Sequence, residues 1–258
     1  MIEILVISLL ALFISILTFF SGFGLGTLLT PILLIFFPTE FAITATGIVH
    51  LVNNIFKWLL IRKNINWSTV INFGIPAIFA AFIGAYLLFF FKDLNLNYNY
   101  SLFDHIIEQD FLKFLISIFL LIFASIELIP QTKNLEFKKK WLPLGGFLSG
   151  FFGGLTGIQG ALRSAFLIKT NLSKKSFIAT AVTISALVDF TRIGVYFSNI
   201  DLIKISDQNY LLIFCCMGAI LGSLIGNFLL KKITIDFIQK LVNICLVILA
   251  LSLAFGII

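Results

Sequence analysis

Charge is scarce in this 258-residue chain: 12% of its residues are Asp, Glu, Lys or Arg, where a soluble domain carries roughly a quarter. A water-soluble fold made from it would have almost no polar surface to present, and a soluble globule is excluded. Cysteine is equally thin. Cys215, Cys216 and Cys245 all fall within apolar runs, without the spacing of a zinc site or a disulfide framework in a loop. There is no His-Glu-x-x-His helix and no nucleotide-cradling loop, so no metal or other cofactor is implied. The formal net charge is +6, but the lysines sit in short loops and form no basic arm, which argues against nucleic acid as a partner. What remains is hydrophobic, at 60% of residues and a mean hydropathy of +1.09.

Apolar runs cover approximately 3–20, 41–61, 69–91, 112–130, 177–197, 209–230 and 237–257. A helix needs about 20 such residues to cross a hydrocarbon core, so the chain reads as an all-α polytopic membrane protein. Two further stretches, 21–36 and 142–169, are apolar but interrupted by glycine, at Ser21-Gly22-Phe23-Gly24-Leu25-Gly26 and at Gly153-Gly154-Leu155-Thr156-Gly157-Ile158-Gln159-Gly160. Each predicts a helix, an unwound turn and a second short helix. The first 20 residues have no basic n-region and no cleavage site, and are expected to belong to the mature protein.

Lysine and arginine decide which loops face the cytoplasm. The loops near 61–68, 131–140, 169–176 and 231–236 hold eleven of them, including Arg62, Lys138 and Lys174. Those near 37–40, 92–111 and 198–208 hold only Lys92 and Lys204, and the long loop 92–111 carries Asp93, Asp104, Glu108 and Asp110. This places the chain in a cell inner membrane with both termini external, and makes each broken segment enter and leave on one side, the first from outside and the second from the cytoplasm. The halves, 1–130 and 141–258 with a cytoplasmic linker at 131–140, are thereby inverted. Weak internal similarity supports duplication. Phe41-Ala42-Ile43-Thr44-Ala45 resembles Phe177-Ile178-Ala179-Thr180-Ala181, Leu51-Val52-Asn53 resembles Leu187-Val188-Asp189, and Ile83-Gly84-Ala85 echoes Ile225-Gly226-Asn227. Inverted repeats with broken helices in matching positions point to a secondary transporter with a midplane site.

Polar residues in the spans are few and aligned. His50, Asn53, Asn54 and Lys57 share one helical face, and Ser185, Asp189 and Arg192 share another. His50 and Asp189 lie roughly 12–14 Å from the nearer span end by helical rise. A charge at that depth costs about 3 kcal/mol or more and belongs beside a cavity or a partner. Asp189 and Arg192 also satisfy a plain i, i+3 ion pair, and Lys57 is expected to snorkel to the cytoplasmic interface. Unwound glycine at membrane depth exposes backbone N–H groups, and the helices that follow aim their positive ends at the same place. Such a site favours an anion. Gly22, Gly24, Gly26, Thr27 and Thr30 in the first half, and Gly157, Gln159, Gly160, Arg163 and Ser164 in the second, are the candidate binding groups alongside His50 and Asn53. Asp189 and Arg192 are the candidate orienting or proton-coupling pair. Close helix packing is the competing explanation of the glycines.

These motifs resemble the sulfite exporter TauE/SafE family of anion permeases. Gly22-Phe23-Gly24-Leu25-Gly26 with Pro31, then Ala42 to Gly47, is similar to the family's duplicated glycine-rich motif, and Gly157-Ile158-Gln159-Gly160-Ala161, then Ala179 to Thr183, is similar to a degraded second copy. The resemblance implies export or uptake of sulfite, sulfonates or related small organic anions, and the inverted repeat implies alternating access around a midplane site. Two other classes compete: an intramembrane enzyme using His50 and Asp189 as base and acid, and a scaffold subunit without transport. The enzyme lacks any accompanying Ser/Asp/His set, and the scaffold leaves the paired broken helices unexplained. A small anion and the lipid bilayer are therefore the expected partners, and self-association is left open.

Overall fold

The computed structural model describes residues 2–21, 24–94, 96–102, 105–128, 139–199, 208–229 and 235–256. Gly22, Asp104, Lys133, Lys138, Lys204, Lys231, Lys232 and the terminal Met1 and Ile258 lie outside the described residues, as does most of the expected linker. The described chain is helical apart from one hairpin. Helix α1 (Ile2–Ser21) is followed by the short α2 (Gly26–Phe36) and by α3 (Thr39–Ile61). Helix α4 spans Trp67–Asp93, and α5 is Phe111–Leu128. The second half repeats the order with α6 (Leu142–Thr156), the short α7 (Gly160–Leu167), α8 (Lys174–Asn199), α9 (Asn209–Leu229) and α10 (Ile235–Ala254). Three of them, α4, α8 and α9, are long and apolar enough to cross a membrane by length and composition. Large apolar side chains point outward where a soluble protein would carry charge, Phe79 at 69%, Phe190 at 74% and Phe228 at 80% exposure among them.

One expected external loop has structure of its own. Strands β1 (Asn97–Leu102) and β2 (His105–Asp110) pair antiparallel, in register from Asn97 opposite Asp110 to Leu102 opposite His105. Alternation over so few polar residues gave no helical period, and it is the backbone's own hydrogen-bonding demand that closes the hairpin. Where β2 meets α5, Asp110 accepts from the Leu112 amide at 2.8 Å and from the Thr39 hydroxyl at 2.6 Å, tying the hairpin to the start of α3. Within α4, a π turn at Val70–Gly74 precedes Pro76, absorbing the missing N–H and the ring's bulk without ending the helix.

Glycine sets the closest helix contacts. On α6, a Cβ at Gly146, Gly150 or Gly154 would fall 2.1, 2.0 and 2.2 Å from the carbonyl oxygens of Phe73, Ala77 and Ala81 on α4. On α9, a Cβ at Gly218 or Gly222 would fall 2.5 and 2.3 Å from those of Ser8 and Leu12 on α1. Both are small-xxx-small interfaces that let backbones approach directly. Residue numbers rise together along each pair, so α4 runs parallel to α6 and α1 parallel to α9. By contrast α3 and α8 are antiparallel: Gly47 lies against Ile193, and the Asn66 amide donates to Thr180 Oγ1 at 3.0 Å. Gln109 Nε2 donates to the Leu253 carbonyl at 2.9 Å, which sets the start of α5 beside the end of α10.

Candidate functional site

The site starts from the two helix breaks. Gly24 and Gly157 both have positive φ, +83° and +79°, a conformation in which a side chain is strained. Each introduces a short helix that has no side-chain cap, α2 after Leu25 and α7 after Gln159; in the first turn of α2 the Thr27 amide donates to the Gly24 carbonyl at 3.3 Å. The breaks touch. A Cβ on Gly26 would sit 2.9 Å from the Gly157 carbonyl oxygen. Around Gly24 stand His50 Nε2 and Arg163 Nη2, 2.8 and 3.5 Å from the position its Cβ would take. Around Gly157 stand Thr30 Oγ1 and Arg192 Nη1, at 2.9 and 3.3 Å on the same measure. Thr30 follows Gly24, and Arg163 follows Gly157, by the same six residues, so each break faces the matching position of the other half.

Asp189 holds the centre together. Its Oδ2 accepts from His50 Nδ1 at 2.6 Å and Asn54 Nδ2 at 2.9 Å, and its Oδ1 from Gln159 Nε2 and Arg192 Nε, each at 3.0 Å. Arg192 Nη2 lies 2.9 Å from the same Oδ1. Its Nη1 reaches the Gly153 carbonyl, and Tyr196 donates to the Gly154 carbonyl, so α8 also fixes the end of α6. With Nδ1 donating to Asp189, the His50 ring presents Nε2 to the first break, as an acceptor when neutral and a donor when protonated. A guanidinium against α3 needs room, and Gly47 provides it: a Cβ there would be 3.4 Å from Arg192 Cζ.

The charge balance is one-sided. The buried basic side chains among the described residues are Lys57, Arg163 and Arg192, against the single carboxylate of Asp189; beside the breaks stand Arg163 and Arg192. Two hydroxyls, Thr30 Oγ1 and Thr46 Oγ1, are fully buried at the breaks without a hydrogen-bond partner among the described residues, and the Gln159 oxygen is likewise unmatched. Thr46 escaped sequence reading because a threonine in an Ala-Thr run carries no signal of direction; its methyl lies 3.5 Å from the Cβ position of Gly26.

Other expected residues sort differently. Thr27, Gly160 and Ser164 are buried beside the breaks. Asn53 is not at the centre: its carboxamide faces α9, donating to Ser223 and to the Ala219 carbonyl while its oxygen accepts from Lys57 Nζ at 3.2 Å. Ser15 on α1 joins them through Ser223, at 2.9 Å. Lys57 does not snorkel. It is 4% exposed, with its ammonium 5.1 Å from the centre of the Phe19 ring, because α1 and α9 close over that face of α3 and leave the side chain no path to the surface. Among the described residues the side chains at the breaks are buried, His50, Gln159, Arg163, Asp189 and Arg192 each at 3% exposure or less. A cavity of about 340 Å³ lies elsewhere, lined by Asn66, Asn72, Lys140 and Thr170.

The chain matches the family model described as sulfite exporter TauE/SafE over residues 7–253. The chain belongs to this family. TauE/SafE proteins are membrane transporters. No curated protein and no solved structure matches the chain.

Proposed function

We propose that this TauE/SafE protein is a secondary transporter that exports a small oxyanion such as sulfite or a sulfonate, by alternating access around the two glycine breaks. The observation that carries it is the pair of buried guanidiniums, Arg163 and Arg192, set against one carboxylate beside two helix starts that lack side-chain caps. A small anion leaving water must regain several donors at once. Arg163 offers a planar fork, Thr30 and Thr46 offer hydroxyls, and the first-turn amides offer N–H groups that glycine lets the anion approach closely. Asp189 has the wrong sign for contact. It orients His50, Gln159 and Arg192, whose charge it also offsets.

The inverted-repeat reading is supported by the packing. Exchanging α1 with α6, α2 with α7, α3 with α8, α4 with α9 and α5 with α10 turns the α4/α6 pair into the α9/α1 pair, and maps α3/α8 and α5/α10 onto themselves. The parallel and antiparallel directions agree with the crossing pattern expected from lysine, which assigns the α3 C-terminal end to the cytoplasm. An enzyme using His50 and Asp189 has less in its favour, since both oxygens of the carboxylate are already committed to four side chains. Purified protein in liposomes decides between them: radiolabelled sulfite should cross with saturable kinetics, and conversion of sulfite without net movement would overturn transport.

A further inference from the structure

Away from the breaks, one buried charge has no part in the site described above. Lys57 meets the carboxamide oxygen of Asn53 and the face of Phe19, and no carboxylate pairs with it among the described residues. The polar groups around it are otherwise complete. Asn53 donates to Ser223 and Ala219, and Ser15 donates to the Ala219 carbonyl at 2.7 Å. An ammonium carries three donors, so one neutral oxygen leaves it short of acceptors. Structural need does not account for this, because an apolar side chain of similar volume usually fills such a position as stably as a buried ion.

Its place along α3 is informative. Lys57 stands three residues beyond Asn54, which bonds Asp189, and so lies roughly 4.5 Å further along the axis by helical rise. It lies on the side of the breaks toward the α3 C-terminal end, where an exported anion would enter. We propose that Lys57, with Asn53 and the Phe19 ring as its walls, forms a second oxyanion position on the approach from that end. An anion is taken up there first and passed about one helical turn to the donors at Arg163. The Phe19 ring, 3% exposed, covers the ammonium in the closed arrangement and swings aside to admit the anion. This rests on the proposed transport of an oxyanion, but adds a site that transport alone does not require.

Sulfite binding to the detergent-purified protein, under nitrogen, tests it together with initial flux into proteoliposomes. Wild type should show two binding phases. Lys57→Met should lose the second phase, slow flux by about tenfold or more, as for loss of a charge-assisted hydrogen bond, and melt no lower than wild type; Lys57→Arg should restore both phases. Arg163→Gln should lose the phase that Lys57→Met retains. Unchanged binding and flux in Lys57→Met overturns the second position alone, as does a lowered melting temperature with both phases present, which assigns Lys57 to structure. Loss of all binding in Lys57→Met merges the two positions into one and also overturns it. A wild-type protein that binds no sulfite overturns the oxyanion reading as a whole.

Discussion

Asp189 is the residue whose removal the structure prices most directly. Asp189→Asn keeps the shape but replaces one acceptor oxygen with an NH2 group, so either His50 and Asn54 or Gln159 and Arg192 face a donor where they now face an acceptor. It also leaves Arg192, fully buried, without its counter-charge. Removing one partner of a buried pair typically costs about 3–5 kcal/mol, which for a chain of this size lowers the melting temperature by something on the order of 10 °C. Adding Arg192→Gln should recover at least ~1 kcal/mol of that loss, since the orphaned charge is then gone. Thermal aggregation of the detergent-solubilised single and double variants measures both numbers. An Asp189→Asn protein as stable as wild type, or a double variant worse than the sum of its singles, would refute the account of Asp189 as the hub.

Arg163→Gln should lose the sulfite-binding phase at the breaks and stop flux while the protein still inserts and elutes as a single species; wild-type flux from a well-expressed variant removes Arg163 from the path. Gly24→Ala places a Cβ 2.8 Å from His50 Nε2 at φ +83°, a strain of about 1–2 kcal/mol, and should cut transport more than expression, which parallel flux and fluorescence-detected chromatography would separate. Gly150→Leu drives its side chain into the Ala77 carbonyl, 2.0 Å from the Cβ position, and should destabilise the protein by about 1–3 kcal/mol or more by overpacking, read as a lower melting temperature at unchanged sulfite affinity of the surviving fraction.

Much of this was legible because lipid makes polar residues conspicuous. The apolar runs 41–61 and 177–197 became Thr39–Ile61 and Lys174–Asn199, and the rare side chains within them, His50 and Asp189, form the central hydrogen bond. Glycine clusters were legible as breaks for the same reason: a helix that gives up backbone bonds in a membrane needs a cause. What could not be read was direction and partnership. Asn53 and Asn54 are adjacent in sequence, yet Asn54 turns to Asp189 and Asn53 to Ser223, a choice made by which helix lies opposite. Lys57 was expected to reach water because nothing in α3 itself reveals that α1 covers it. Gly146, Gly150 and Gly154 are spaced for packing, and only Gly157 breaks the chain; composition alone did not separate these two uses of glycine.

The arrangement of the close pairs restricts how the site can open. Each parallel pair takes one helix from each half, α1 with α9 and α4 with α6, so the halves cannot rock apart as two blocks without separating glycine faces that lie on bare backbone. The proposed alternating access would then require moving units that each keep a pair whole: α1, α9 and α3 on one side, α4, α6 and α8 on the other. The surface between them is α3 against α8, where the His50–Asp189 bond lies. Two disulfide locks distinguish these surfaces. Ser8 Oγ is 3.9 Å from Cys215 Sγ, so Ser8→Cys, with Cys216 and Cys245 replaced by serine, can bond the native thiol and tie α1 to α9. Gly47→Cys with Ile193→Cys, in a background lacking the three native thiols, ties α3 to α8. Oxidation of the first variant should leave sulfite flux close to its reduced rate, while oxidation of the second should stop flux reversibly. If the α1–α9 lock stops transport, or the α3–α8 lock permits it, the halves move by some other division and the central pair is not the sliding surface.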